Sequence, residues 1–185
     1  QRRYVVAAVD IRGTGNSEGR LIPYEYSEIE QKDGEVVIDW LSKQEWSNGN
    51  VGMFGISWGG FNSIQMAARN PPALKAMVAI DATEDLFQDD VHYMDGIMHL
   101  DSWEMSMDLD NTRPGAPDYR VDDDNFRNRF DTEPWMLTYK KQQRDGPFWD
   151  RASLIGRYES IRVPTYVVGG WYDGYRDSIP RMLQH

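Results

Sequence analysis

Short β-prone apolar runs alternate with stretches of helical spacing through this chain, which leaves few architectures open to it. Residues 4–9, Tyr-Val-Val-Ala-Ala-Val, form a near-continuous run of the kind buried on both faces of a parallel sheet, and the run ends at Asp10. Ser27 with Glu30 three residues later has the form of a capping box, followed by Ile29, Val36, Val37, Ile38, Trp40 and Leu41 at mostly helical spacing. Asn48-Gly49 makes a turn before a second apolar run, Val51–Ile56, and residues 59–69 read as a helix that Asn70-Pro71-Pro72 brings to an end. The strand pattern returns at Leu74–Ile80 and at Thr165–Val168, and residues 177–184 form a last helix. The order β, α, β, α, β predicts an α/β fold, a parallel sheet joined by crossover helices.

The gap between the last two strands is where the surface chemistry changes. Residues 81–133 carry 16 acidic residues against four arginines, a local balance of −12 that leaves the rest of the chain at +2. This stretch is rich in Met, Trp, Asp and Asn without a clear strand. We therefore expect a core in two parts, residues 1–80 and 151–185, interrupted by an insertion over 81–150. At 185 residues and 40% hydrophobic the chain can bury a core of its own. A net charge of −10 repels phosphate backbones and argues against nucleic acid, and no apolar run reaches the roughly 18 residues a membrane span needs. The absence of cysteine excludes a disulfide scaffold, a thiolate metal site and a cysteine nucleophile. A chain that opens on Gln1 and enters an apolar strand by Tyr4 reads as a fragment, with compartment left open.

Chemistry concentrates at the end of the second strand, where Gly55-Ile56-Ser57-Trp58-Gly59 fits the Gly-x-Ser-x-Gly nucleophile elbow. A serine on a sharp strand-to-helix turn has strained backbone angles, and small residues two positions either side let neighbouring backbone pass close. At the start of the following helix the Trp58 N–H and the helix dipole point to where charge develops on an attacked carbonyl oxygen. The bland alternative is a structural serine in a glycine-rich turn. A serine nucleophile needs a base and an acid that orients it, and Asp173, just past the Thr165–Val168 run, stands at a later strand end. It is equally readable as a turn aspartate before Gly174. The histidines are His92, His99 and His185. The first two precede Asp173, against the order serine, acid, histidine that this fold uses, and His185 reads as a surface residue at a helix end.

The segment Asp10-Ile11-Arg12-Gly13-Thr14-Gly15-Asn16-Ser17-Glu18-Gly19, the pair Asp33-Gly34 with Trp40-Leu41, the run Trp46-Ser47-Asn48-Gly49-Asn50-Val51-Gly52-Met53, the elbow, Pro72-Ala73-Leu74-Lys75-Ala76, and Gly170-Trp171-Tyr172-Asp173-Gly174 together resemble the CocE/NonD hydrolases. These are α/β-hydrolases that include cocaine-esterase, α-amino-acid ester hydrolase and X-Pro dipeptidyl-peptidase members. The resemblance covers both flanks, about two-thirds of the chain. It implies Ser57 as nucleophile, Asp173 as triad acid, the Trp58 N–H as one oxyanion donor, and a mostly helical cap over 81–150. It implies too that the histidine, a tyrosine oxyanion donor and further sheet strands belong to parts of the protein outside these residues, so that the 185 residues alone are expected to be inactive and poorly folded.

Other features carry less. Gly13-x-Gly15 resembles a dinucleotide loop, but Glu18 stands where its third glycine belongs, and Arg12 with Glu18 is expected to pin this loop at the sheet edge. Trp103, Trp135, Phe148 and Trp149 would wall an acyl pocket or simply pack the cap, and packing is the favoured reading. Asp81, Glu84, Asp85, Asp89, Asp90 and Asp95 would hold a substrate ammonium, with Glu84 and Asp85 first among them, or form a solvated acidic face, and the solvated face is favoured. Met94, Met98, Met105 and Met107 read as adaptable core.

Two functions follow. The leading one is a serine hydrolase that cleaves a small ester or amide, an X-Pro peptide among the options, through an acyl-enzyme on Ser57. It needs no cofactor and no metal, and self-association is compatible with the sequence. The rival is a non-catalytic relative that binds a small ligand under the cap.

Overall fold

The computed structural model describes residues 4–90, 92–94, 97–99 and 101–185, with the side chains of 101–104 outside the description. In chain order the elements are α1 (Glu28–Ser42), β1 (Val51–Ile56), α2 (Trp58–Arg69), β2 (Leu74–Ile80), β3 (Tyr93–Met94), β4 (Ile97–Met98), α3 (Asp101–Thr112), α4 (Asp123–Asn125), α5 (Trp135–Lys140), α6 (Pro147–Asp150), β5 (Thr165–Val168) and α7 (Ser178–Leu183).

Local chemistry sets the ends of the two helices nearest the site. Ser27, in extended geometry, caps α1 by accepting the Glu30 N–H at 3.5 Å, and Glu28 and Glu30 place acid in the first turn, where the dipole favours it. The Glu30 carboxylate reaches back to the N–H of Tyr26, one residue before the cap, so the box is closed one position further out than its usual form. At the far end of α2, Asn70 adopts the left-handed conformation at φ 50°, and its N–H returns to the carbonyls of Met66 and Ala67 before the two prolines.

Among the described residues three strands form one parallel sheet in the order β1-β2-β5. Ile56 lies opposite Ile80, and Ile80 opposite Val168, so the three strands end level at one carboxyl edge. The Ser57 N–H donates to the Ile80 carbonyl at 3.0 Å and the Asp81 N–H to the Val168 carbonyl at 2.8 Å, which carries the ladder one residue past each strand. Helix α2 buries Phe61, Ile64, Met66 and Ala67 against Leu74, Met77 and Ala79 of β2 and Ile38 of α1. Each such large side chain contributes about 1.5–3 kcal/mol on removal from water.

Three expectations are corrected. Residues 4–9 form no strand: Tyr4, Val5, Val6 and Val9 are exposed, and a groove of about 420 Å³ lies between residues 7–12 and the residues of β1, α1 and α2 that line its other side. A strand of this composition needs cover on both faces to offset the entropy of ordering it, and these exposed side chains lack it. Arg12 pairs with both carboxylate oxygens of Asp33 of α1, at 2.7 and 2.6 Å, rather than with Glu18, whose carbonyl accepts the Gly13 N–H. Within 81–150 a short antiparallel pair precedes the helices, Tyr93 opposite Met98 and Met94 opposite Ile97, where no strand was expected. Among the described residues no helix is long and apolar enough to cross a membrane.

Candidate active site

Ser57 stands between β1 and α2 with φ 51° and ψ −122°, a left-handed φ that costs a residue with a Cβ of the order of 1–3 kcal/mol. The turn is held because the chain on both sides has room for it. A Cβ on Gly55 would fall 2.1 Å from the Gly59 carbonyl carbon, and one on Gly60 would fall 2.7 Å from the Ala82 Cβ and 3.0 Å from the Ile80 carbonyl oxygen. Glycine is therefore required at 55 and 60 by close approach of backbone and neighbour. Ser57 occupies the N-cap position of α2, yet its hydroxyl makes no capping hydrogen bond to the helix. The side chain is thus directed away from the capping role its position offers.

Asp173 follows β5 in the tight loop 169–174, two strands over from Ser57 on the same carboxyl edge. Its own N–H donates to the Gly170 carbonyl at 3.0 Å, and its Oδ1 accepts the Tyr175 N–H at 2.7 Å, an Asx turn that fixes the half-buried carboxylate. That turn also aims Tyr175 inward. The Tyr175 ring packs edge-on to Phe61 of α2, with centroids 5.1 Å apart. Burial first, then the nearby carboxylates of Asp90 and Asp173, hold the Tyr175 phenol well above its ordinary value, so it is neutral. Sequence reasoning passed over Tyr175. The signal was its place two residues after Asp173, where an Asx turn puts the next donor.

Trp58, whose N–H is the expected oxyanion donor, is gripped through its ring. The indole N–H donates to Glu30 Oε1 at 3.2 Å, and the ring lies edge-on to Trp135 at 5.6 Å. Asn62, one turn along α2, donates to the same Oε1 at 3.1 Å. Glu30 is buried, and burial pushes its carboxyl up to about 7 against the opposing pull of these donors.

The remaining candidates separate into packing and ion pairs. Trp135 and Trp149 are buried, their indole N–H groups donating to the Ile22 and Gln142 carbonyls at 2.8 and 2.9 Å, and Phe148 packs edge-on to Trp149 at 5.0 Å. These three are packed within the fold. Trp103 lies in α3 with its side chain outside the described residues, and Asp95 lies outside them altogether. Glu84 is fully buried and receives Arg181, the Tyr158 hydroxyl and the Ser178 hydroxyl, while Asp85 Oδ1 accepts the Phe87 and Gln88 N–H groups at 2.9 and 2.7 Å. The structure gives both carboxylates partners within the fold. It corrects the solvated acidic face, since Asp89 and Asp90 are buried with them. His92 lies 2.5 Å from Glu25 and stacks on Tyr139, and His185, exposed past the end of α7, stacks on Tyr158.

Over residues 1–185 the chain matches the family described as X-Pro dipeptidyl-peptidase (S15 family). It is 25% identical over 200 residues to cocaine esterase of Rhodococcus sp. (strain MB1 Bresler), across 93% of this chain and 34% of that protein. The solved structure of an α-amino acid ester hydrolase is similar with a TM-score of 0.62 and 26% identity, across 95% of this chain and 34% of that one. A CocE/NonD family hydrolase of Staphylococcus aureus shares the fold with a TM-score of 0.64 at 19% identity, across 94% of this chain and 34% of that one. The chain thus spans about a third of the length of these relatives.

Proposed function

The chain belongs to the X-Pro dipeptidyl-peptidase (S15) family of hydrolases, with an α/β-hydrolase fold, and on that premise we propose that it carries the nucleophile and the acid of a serine hydrolase acting on a small ester or amide. The observation that carries this reading is the backbone of Ser57: a non-glycine residue at φ 51° between a parallel strand and a helix, its hydroxyl making no capping bond to that helix. Strain of this kind persists only where the surroundings impose it, and glycines 55 and 60 do so.

In this reading Ser57 Oγ attacks the substrate carbonyl carbon as a histidine takes its proton, and the Trp58 N–H stabilises the oxyanion at the start of α2. The same histidine returns the proton to the leaving alcohol or amine, and water then attacks the acyl-enzyme to release the acid and free Ser57. Asp173 orients that histidine, which we place in the part of the protein beyond these residues, since His92 and His185 face other partners and His99 precedes Asp173, against the order serine, acid, histidine. Residues 81–150 act as the cap over the site. Cocaine esterase and the α-amino acid ester hydrolase are relatives that support ester cleavage, and the family name supports X-Pro peptides as the other substrate class.

The test is fluorophosphonate labelling of the full-length protein, read by intact mass beside its Ser57→Ala variant. Labelling of the wild type at one site, lost in the variant, is the expected result. A folded wild type that takes no label would leave a ligand-binding relative as the better description.

A further inference from the structure

Glu30 sits at the third position of α1, where sequence makes it a helix-capping residue and nothing more. In the structure its carboxylate joins the segment before α1 to helix α2. Oε2 accepts the Tyr26 N–H, while Oε1 accepts the Trp58 indole N–H at 3.2 Å and the Asn62 amide at 3.1 Å. Tyr26, itself at φ 56°, lies edge-on to both Trp58 and Phe61, with centroids at 6.4 and 5.7 Å. The Trp58 ring is therefore fixed on one side by Glu30 and on the other by Trp135.

We propose that Glu30 is a positioning residue for the oxyanion hole, acting through the Trp58 side chain on the peptide N–H between Ser57 and Trp58. The inference rests on the serine-hydrolase reading above and deepens it. Trp58 is the first residue of α2, so its N–H has no carbonyl partner within the helix, and its direction is set by the strained Ser57 turn and by where its own side chain is anchored. An oxyanion donor must be held within about 0.5 Å and 10–20° of its productive place, and a ring clamped on both sides supplies that constraint without entering the site. A cap alone would need only the contact with the backbone near Ser27. The two bonds from Oε1 to α2 lie outside that need.

The carboxylate is suited to this because it offers two oxygens to three donors. An amide has one acceptor oxygen and cannot serve the Tyr26 N–H and the Trp58 N–H together. Burial holds the carboxyl near 7, so the site carries a charge-assisted bond to Trp58 on the alkaline side of neutrality and a weaker one below it.

The experiment is a double-mutant cycle on the full-length protein, reading the second-order rate of fluorophosphonate labelling of Ser57 at pH 8 together with the melting temperature. Glu30→Gln is expected to slow labelling about tenfold, a fraction of what removal of an oxyanion donor costs. In the Trp58→Phe background, which has no indole N–H, the same change is expected to alter the rate less than about twofold. An equal slowing in both backgrounds would make Glu30 a structural cap and overturn the inference, as would no slowing in either. If Glu30→Gln does not fold, Trp58→Phe alone decides: the inference requires it to slow labelling with an unchanged melting temperature. A folded wild type that takes no label sinks the hydrolase reading and this inference with it, whereas normal wild-type labelling with an insensitive Glu30 sinks this inference only.

Discussion

Asp173→Asn in the full-length protein is expected to lower kcat for an ester substrate by about 10⁴ while leaving KM within a few-fold. The size follows from the hydrogen bonds the residue already makes. Asp173 Oδ1 accepts the Tyr175 N–H at 2.7 Å, a bond that only an oxygen can keep, so the asparagine carbonyl takes that place. In the proposed triad its NH₂ group is then left facing the histidine. A donor there forces the imidazole into the tautomer whose other nitrogen carries a proton and cannot accept one from Ser57. The Asx turn thus chooses the damaging orientation of the amide. Steady-state kinetics on the variant check it, with circular dichroism to establish that the loop still folds. A loss of less than about tenfold would remove Asp173 from the triad and return it to the role of a turn residue before Gly174.

How much of this could be read from sequence depends on whether the deciding interaction is local. Val51–Ile56, Leu74–Ile80 and Thr165–Val168 form strands over the residues their apolar runs mark out, because each run is preceded by an Asn-Gly or Pro turn that a strand cannot extend through. The elbow motif was legible for the same reason, as five adjacent residues spell it, though Gly60 and its neighbour Ile80 on β2 also hold the turn. Residues 4–9 have as strong a strand composition as any of these and form no strand. A buried parallel strand is made by its neighbours, and no local pattern reports whether the neighbours are in place. Glu30 was visible as a capping residue but not as the partner of Trp58 and Asn62, which lie 28 and 32 positions away. Glu84 was misread more seriously. In sequence it is one acid in an acidic stretch, and its true partner, Arg181, is 97 residues further on.

That partner gives the largest expected effect on stability. Arg181→Met is expected to destabilise the full-length protein by about 3–5 kcal/mol, read from urea unfolding followed by tryptophan fluorescence. Arg181 of α7 contacts Glu84 at 2.5 Å and Asp89 at 3.0 Å, and it ties the last helix to the stretch that follows β2. Methionine fills much of the same space but leaves two buried carboxylates without their cation. Burial pushes the Glu84 carboxyl up, and the hydrogen bonds from Arg181 and Ser178 outweigh it, so its pKa is lowered on balance. A lowered carboxylate contributes stability that is present above its unfolded pKa of about 4.3 and lost as pH falls below it. Burial of Asp89 prevails over the same arginine and raises its carboxyl to about 6. That contribution has the opposite sign, being present below the unfolded value of about 3.9 and lost as pH rises through 6. Without Arg181 both groups fall into the second class, since burial then acts on each with no cation against it. The variant's deficit should therefore be greatest near pH 7 and shrink as pH falls toward 4, where protonation removes the charges that Arg181 had compensated. Glu84→Gln added to Arg181→Met should recover part of the loss at pH 7 and little at pH 4. A deficit that is constant with pH would mean that lost packing of the arginine stem, not the buried charge, is what the substitution removes.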